Sequence, residues 1–283
     1  MIIKFESGFL GNQLFQYCGI KKYFPKHKLV FFGFSDLKSL CNIFDVFFIN
    51  FNQDLLYNKL IRRLLFFLSD IKIIGKITET HCLNKYIINV HKGLFWNIFL
   101  AKELYFQHEK FVNRISSPPT IRLNHIKRAG QWIEKKNIFY KRYNLIFVHI
   151  RRGDYLFWPD VKYPAFIDLD SYKRNIERIK RKVKKPLFII IGDDPLYLKK
   201  AFQESNELII SENSIELDFS IMTLCSHGVL SASSFSWWGA FYARDKRKEN
   251  NIFLAPRYWA GHRIKKWIPL YFNTDWITYI EEN

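Results

Sequence analysis

Phe147-Val148-His149-Ile150-Arg151-Arg152-Gly153-Asp154-Tyr155 is the stretch that decides how the chain folds. The apolar run from Leu145 to Val148 predicts a buried strand. It ends in one imidazole, two guanidiniums and one carboxylate, followed by aromatics. In open α/β sheets, ligands bind beyond the carboxyl ends of strands, where polar side chains meet without crossing the core. Two adjacent arginines suit a ligand with several negative oxygens, because a guanidinium binds phosphate through paired hydrogen bonds. Asp154 either holds one arginine in a fixed rotamer or bonds a sugar hydroxyl. The plain alternative is a solvated loop carrying an Arg–Asp surface pair.

Downstream, strand and helix patterns alternate. A helix is expected from about Ser171 to Lys185, with Tyr172, Ile176, Ile179 and Val183 on one face, then a strand at Leu187–Ile191. A short helix at Pro195–Gln203 and a strand at Leu208–Ile210 follow. The helix from Glu216 to His227 is read as closed by Gly228, a common residue just past a helix end. Strand Val229–Ser231, helix Phe235–Arg244 and strand Ile252–Leu254 complete the series. Such alternation is the signature of a doubly wound parallel sheet.

Upstream, Ile2–Phe5 predicts a first strand. Ser7-Gly8-Phe9-Leu10-Gly11-Asn12-Gln13 reads as a loop, and Leu14–Tyr23 has helical apolar spacing. A glycine-containing loop between strand and helix brings backbone N–H groups close to an anion or sugar. The same glycines also fit a tight βα turn. Leu29–Phe32 predicts another strand. From Leu37 to Asn113 the pattern blurs, with a helical patch at Leu55–Leu68 among short β-branched runs at Ile71–Ile74 and Tyr86–Val90. Ser116-Ser117-Pro118-Pro119-Thr120 is the clearest punctuation and a candidate boundary. Ile121–Tyr143 then reads as basic amphipathic helix. The economical architecture is α/β, with two facing Rossmann-like domains at 1–119 and 120–283.

Composition bounds the function. The 283 residues carry 48% hydrophobic side chains and 28 Phe, ample for a packed core. The net charge of +18 attracts anions: nucleic acid, acidic membrane surface or phosphorylated small molecules. Cys18, Cys41, Cys82 and Cys225 are widely spaced and fit no metal-ligand pattern, so buried free thiols in a reducing compartment are expected. Met1–Glu6 is too short and too quickly charged for a signal peptide. The apolar run Leu64–Leu68 is far below the roughly 20 residues of a membrane span. The expected location is cytoplasmic and peripheral on the inner face of the membrane, where lysines around Lys173–Lys185 would meet anionic lipid. The charge also motivates a nucleic-acid-binding reading. That basic run carries an apolar face at helical spacing, however, so its lysines are more simply the solvated side of a covering helix.

Two more strand ends carry chemistry. Gly192-Asp193-Asp194-Pro195 follows the Leu187–Ile191 strand. Paired carboxylates there could hold a metal or accept bonds from a base edge or ribose hydroxyls, whereas an Asx cap on the next helix accounts for one of them. Ser231-Ala232-Ser233-Ser234-Phe235-Ser236-Trp237-Trp238-Gly239-Ala240 places hydroxyls at a helix start, a good phosphate site. Its alternative is a serine N-cap with a core-facing tryptophan pair.

Three segments together resemble the bacterial α-1,2-fucosyltransferases of glycosyltransferase family 11. They are Gly11-Asn12-Gln13-Leu14-Phe15-Gln16-Tyr17, His149 to Tyr155, and Ser233 to Ala240. Leu104-Tyr105-Phe106-Gln107-His108-Glu109-Lys110-Phe111 is similar to that family's aromatic-Gln segment. So is Ala255-Pro256-Arg257-Tyr258-Trp259 with Trp276-Ile277. The chain departs where the family has a double glycine (Ser7-Gly8, then Phe9), Ser (Gly192), Asn (Ala232) and Ser (His108).

The resemblance implies a GT-B-like scaffold and inverting transfer of L-fucose from GDP-β-L-fucose to a hydroxyl, O2 of a galactose, on a glycan or lipid-linked oligosaccharide. It implies no cofactor, no required metal and no nucleic acid. Arg151 would stabilise charge developing on departing GDP, with support from Arg152, Ser233, Ser234 and the helix N-terminus at Phe235. Side chains alternate along an extended segment, so only Arg151, on the side of His149, should face the phosphates. Asp154 would orient an arginine or the guanosine end. His149 and Asp154 are the nearest candidate bases, and Asp193 and Asp194 are candidates for ribose or guanine. Gly8, Gly11, Asn12 and Gln13 would meet sugar or phosphate from the first domain, and Trp237 would join the substrate contacts. A transferase on the same scaffold using another nucleotide sugar is the rival.

Overall fold

The computed structural model describes residues 1–52, 55–82, 85–244, 251–270 and 272–281, and the side chains of His81, Cys82 and Lys85 lie outside that description. The chain divides into two compact units, Met1–Thr120 and Ile121–Asn283.

In the first unit, β1 (Ile2–Phe5) leads into α1 (Leu10–Tyr23), β2 (Leu29–Phe32), α2 (Ser35–Leu40), the two-residue β3 (Cys41–Asn42) and β4 (Val46–Ile49). Then come α3 (Leu56–Asp70), β5 (Ile74–Cys82), β6 (Lys85–His91), β7 (Phe95–Ala101), α4 (Glu109–Val112) and β8 (Thr120–Ile121) at the boundary. The six-stranded sheet runs β4-β2-β1-β7-β5-β6. Every pairing in it is parallel except the β5–β6 hairpin. Strand β1 lies at the centre, buried on both faces, which is why its four residues show no polar alternation except for the buried Lys4. Phenylalanines fill this unit. Phe5 stacks on Phe32 and meets Phe51 and Phe66 on one side, and Phe31 stacks on Phe34 on the other.

The second unit opens with α5 (Leu123–Lys136), which packs on the later helix at Ile215–Leu224. It continues through β9 (Asn144–Ile150), α6 (Leu169–Lys180), β10 (Pro186–Gly192), α7 (Pro195–Ala201), β11 (Leu208–Ile210) and α8 (Ile215–Leu224). Last come β12 (His227–Val229), α9 (Ser234–Ala243), β13 (Phe253–Pro256) and β14 (Thr278–Ile280). All pairings are parallel, in the order β11-β10-β9-β12-β13-β14. Numbered from β9, that is 3-2-1-4-5-6, the doubly wound Rossmann order, whose switch point lies between β9 and β12. One face of β9 (Ile146, Val148, Ile150) packs on Tyr172, Ile176 and Ile179 of α6. Two Rossmann-like units make the fold α/β and GT-B-like.

Four expectations need correction. Helix α1 starts at Leu10, so Gly11, Asn12 and Gln13 are helical rather than loop. Helix α6 stops at Lys180, not Lys185. Gly228 is not a helix cap: α8 ends at Leu224 and Gly228 sits inside β12. Its glycine identity comes from packing, since a Cβ there would lie 2.3 Å from Phe147 Cζ. Strand β14 was not foreseen. Cys18, Cys41 and Cys225 are buried and form no disulfide.

Candidate functional site

The carboxyl end of β9 lies at the switch point of the second unit's sheet, and its two arginines diverge there. Arg151 Nε donates to Asp154 Oδ1 at 2.8 Å, and Nη2 of the same guanidinium lies 2.6 Å from that oxygen. Its Nε also lies 3.2 Å from Asp193 Oδ2. Arg152 turns the other way, with Nη1 donating to Asp194 Oδ2 at 2.8 Å and the guanidinium stacked over the Tyr197 ring. The backbone N–H of Arg152 donates to Asp193 Oδ1 at 2.8 Å. Gly153 lets Asp193 approach, because a Cβ there would sit 2.7 Å from Asp193 Oδ2. Three carboxylates thus preorganise two guanidiniums. Arg151 keeps a quarter of its side chain exposed at the sheet edge.

Asp194 also caps α7: its Oδ1 accepts the Tyr197 N–H at 3.0 Å. That bond, with the Arg152 charge, holds its carboxyl below the usual range. The Asx cap therefore describes Asp194, and its side chain, a third exposed, keeps lone pairs for a further partner.

His149 is buried, with Nδ1 2.7 Å from Ser231 Oγ. Burial, reinforced by the Arg151 charge, draws its pKa down to about 3. A neutral imidazole so reluctant to take a proton is a poor general base near neutrality. Its part here is to tie the end of β9 to the loop before α9. Tyr155 adds a second tie, donating to Ala232 O at 2.8 Å, and burial raises its pKa well above the ordinary tyrosine value. At the start of α9, Ser233 Oγ accepts the Phe235 N–H at 3.3 Å, and Ser236 Oγ bonds back to the carbonyls of Ser231 and Ser233. Ser234 is the first helical residue, and Phe235 packs on His149 and Phe219. Trp237, expected among the substrate contacts, is fully buried against Trp238, Phe241, Phe272 and Trp276, where it packs α9 into the core.

Sequence reasoning overlooked one buried acid on the same sheet edge. Asp218, in the first turn of α8, accepts a short bond from Ser211, directly after β11, and Asn213 donates to Ser211 at 2.6 Å. Burial raises the Asp218 pKa to about 6. Its partners lie in an irregular segment with no periodicity to expose them.

The first unit has its own strand-end loop. Gly8 takes φ +77°, and a Cβ there would meet Asn12 Nδ2 at 2.2 Å. Asn12 Oδ1 accepts from Gln107 Nε2 at 2.7 Å, and the Ser7 and Tyr105 hydroxyls are 2.7 Å apart. Glu79 fastens the second segment by accepting the N–H groups of Tyr105 and Phe106. The aromatic-Gln segment and the Gly8–Gln13 segment are therefore one laced structure. Gln13 is buried and its Oε1 accepts the Leu37 N–H at 3.0 Å, which ties the start of α1 to α2. Gly11 is buried in the first turn of α1, where no side chain caps the helix. Glu6 Oε2 accepts the Phe34 N–H at 2.7 Å, and burial raises its pKa.

Among the described residues, no group of three or more His, Cys, Asp or Glu side chains could hold a metal ion. No described helix is long and apolar enough to cross a membrane.

The chain is similar to known proteins along most of its length. An Escherichia coli protein named Alpha-1,2-colitosyltransferase is 27% identical over 272 residues, 89% of this chain and 90% of that protein. The O-antigen biosynthesis glycosyltransferase WbnK of Escherichia coli is 28% identical over 137 residues, 46% of this chain and 44% of that protein, so this match spans less than half of WbnK. Among solved structures, the family 9 glycosyl transferase of Veillonella parvula superposes with a TM-score of 0.55 over 99% of this chain and 85% of that one. At 8% identity, that likeness shows the fold alone. The family model Glycosyl transferase family 11 matches residues 81–280, which takes in both arginines, the acid pair and the α9 serines. The chain belongs to glycosyltransferase family 11.

Proposed function

We propose that the protein is an inverting α-1,2-fucosyltransferase that moves L-fucose from GDP-β-L-fucose to O2 of a galactose in a surface-glycan precursor. The second unit binds the donor and the first binds the acceptor. The reading rests above all on Arg151, held between Asp154 and Asp193 at the switch point of a Rossmann sheet in a family 11 chain. In the reaction, acceptor O2 attacks C1 of fucose opposite the phosphate oxygen. The C1–O bond breaks, GDP leaves with the electron pair, the O2 proton passes to water, and β becomes α. Negative charge grows on the departing diphosphate, and fixed donors aimed at it lower the barrier most. Arg151 supplies that fixed positive charge without a metal, and the Ser233 and Ser234 end of α9 follows the neighbouring strand β12. Asp154 and Asp193 act through Arg151 by fixing its orientation.

A second reading has a specific observation behind it: the relative matched along nearly its whole length bears the name of a colitosyltransferase. Colitose is 3-deoxy-L-fucose, so GDP-colitose is the alternative donor. Parallel assays with GDP-fucose, GDP-colitose, UDP-galactose and a CMP-sugar on a soluble β-galactoside decide between them, with the product linkage read by NMR. Transfer from GDP-fucose to O2 is the expected outcome. Turnover confined to GDP-colitose would replace the donor, and turnover with UDP-galactose alone would overturn the reading. The acceptor in the cell is expected to be lipid-linked, which places the enzyme at the cytoplasmic membrane face.

A further inference from the structure

Helix α3 is amphipathic the wrong way round for a helix that faces water. Asn58 and Ser69 are buried and Leu65 and Phe66 half-buried, which sets its inward side against the sheet. At about 100° per residue, Leu60, Leu64, Phe67 and Ile71 fall opposite Asn58, on the outward side. All four are exposed, Phe67 by 58%. A solvated helix carries polar residues on that face. The apolar surface continues beyond the helix. The chain leaving α3 is hydrogen-bonded to the start of β7, with Leu94 N–H to Lys72 O and Phe95 N–H to Ile73 O, both at 2.8 Å. Those bonds bring the segment of Leu94 and Trp96, exposed by 76% and 66%, alongside the residues that directly follow Ile71.

Basic side chains flank this surface. Lys59 and Arg63 lie at one edge of the apolar stripe, and Lys72 and Lys92 stand at its far end. The one acid on the helix, Asp70, is paired with Lys102 at 2.7 Å. A contiguous apolar patch marks an interaction site. An apolar helix face rimmed by Lys and Arg, with a tryptophan at its margin, is the arrangement that beds into the headgroup layer of an anionic bilayer. Helix α6 lacks this combination: its outward residues are charged without an exposed apolar stripe.

We infer that the outer face of α3, extended by Leu94 and Trp96, lays the protein on anionic phospholipid. The inference builds on the lipid-linked acceptor reading and names the surface that serves it. The area is apolar enough to insert and basic enough to choose anionic headgroups, and no described helix spans the bilayer.

The test uses the full chain and vesicles of phosphatidylcholine alone or mixed with phosphatidylglycerol. Wild type is expected to sediment with the mixed vesicles and to have part of its tryptophan fluorescence quenched by brominated lipid, a part that Trp96→Phe removes. Leu64→Glu with Phe67→Glu, which changes only exposed residues, should weaken binding by about tenfold or more. Lys59→Glu with Arg63→Glu should do the same and remove the preference for anionic lipid. Unchanged melting temperatures and unchanged transfer to a soluble acceptor would show that both variants are folded and active. Equal vesicle binding by wild type and variants overturns the inference. So does a wild-type dimer in solution that the apolar variants dissociate, with no vesicle binding. Absence of transfer to any soluble acceptor would instead sink the transferase reading and leave the vesicle result standing.

Discussion

At the scale of single residues, Arg151 and His149 sit two positions apart and have opposite electrostatic fates. The guanidinium is held by two carboxylates and remains at the surface, while the imidazole is buried and stays neutral. Arg151→Lys keeps the charge but loses the planar fork that Asp154 and Asp193 grip. Removing one preorganised donor from a developing oxyanion costs about 2.7–4 kcal/mol, or roughly 10²–10³ in kcat. Steady-state kinetics should show that loss in kcat, with donor KM little changed, and wild-type turnover would remove Arg151 from the role. For His149 the sign follows from its depressed pKa. The unfolded chain takes up a proton below about pH 6.5 while the native chain does not until about pH 3, so stability from this site is full above 6.5 and falls through that window. Between pH 6.5 and 5 the loss amounts to roughly 2 kcal/mol. Asp218, with its raised pKa, acts in the opposite sense between about 3.8 and 6. The His149 contribution is therefore read by difference: in urea titrations at the two pH values, His149→Gln should lose less stability than wild type. An equal loss would contradict a buried neutral imidazole. None of this was visible in the sequence, because Ser231 is 82 positions from His149 and only the parallel β9–β12 pairing brings them together.

At the scale of elements, the second unit was legible and the first much less so, for a physical reason. Strands buried on both faces become uninterrupted apolar runs, and covering helices show a 3.6-residue stripe, so β9, β10 and α6 could be read within a few residues. The first unit mixes parallel strands with the β5–β6 hairpin and includes α3, whose exposed face is apolar, so neither periodicity rule applies cleanly. The start of α1 was misplaced because Asn12 and Gln13 look like loop residues. They are helical residues whose side chains reach Gln107 and the Leu37 backbone. Gly228 was misread because two causes of glycine look alike in sequence. If packing against Phe147 is the true cause, Gly228→Ala must displace a buried ring in the central strand. It should destabilise the protein by about 1–3 kcal/mol. Gly239→Ala is the comparison, since its Cβ would meet the flexible Met222 side chain at 2.9 Å and should cost less. Equal melting temperatures for the two variants would return Gly228 to a conformational role.

At the scale of the whole molecule, a charge of +18 attracts anions without saying which anion. The site narrows it, because Arg151 and the α9 serines suit a diphosphate. In the proposed reading Arg151 carries the charge of that diphosphate, so turnover without a metal is the prediction, and binding can be tested apart from turnover. A ligand that binds only the folded state stabilises it by about 2.7 kcal/mol at one hundred times its Kd. GDP at that excess should raise the melting temperature by the same amount with EDTA or with Mn²⁺ present, and UDP should raise it much less. Arg151→Ala should reduce the GDP shift in both conditions, since it removes the group that would otherwise be a cation's substitute. A GDP shift that appears only with Mn²⁺ would make Asp193 a metal ligand, and its present bond to the Arg152 N–H and contact with Arg151 would then have to break on loading.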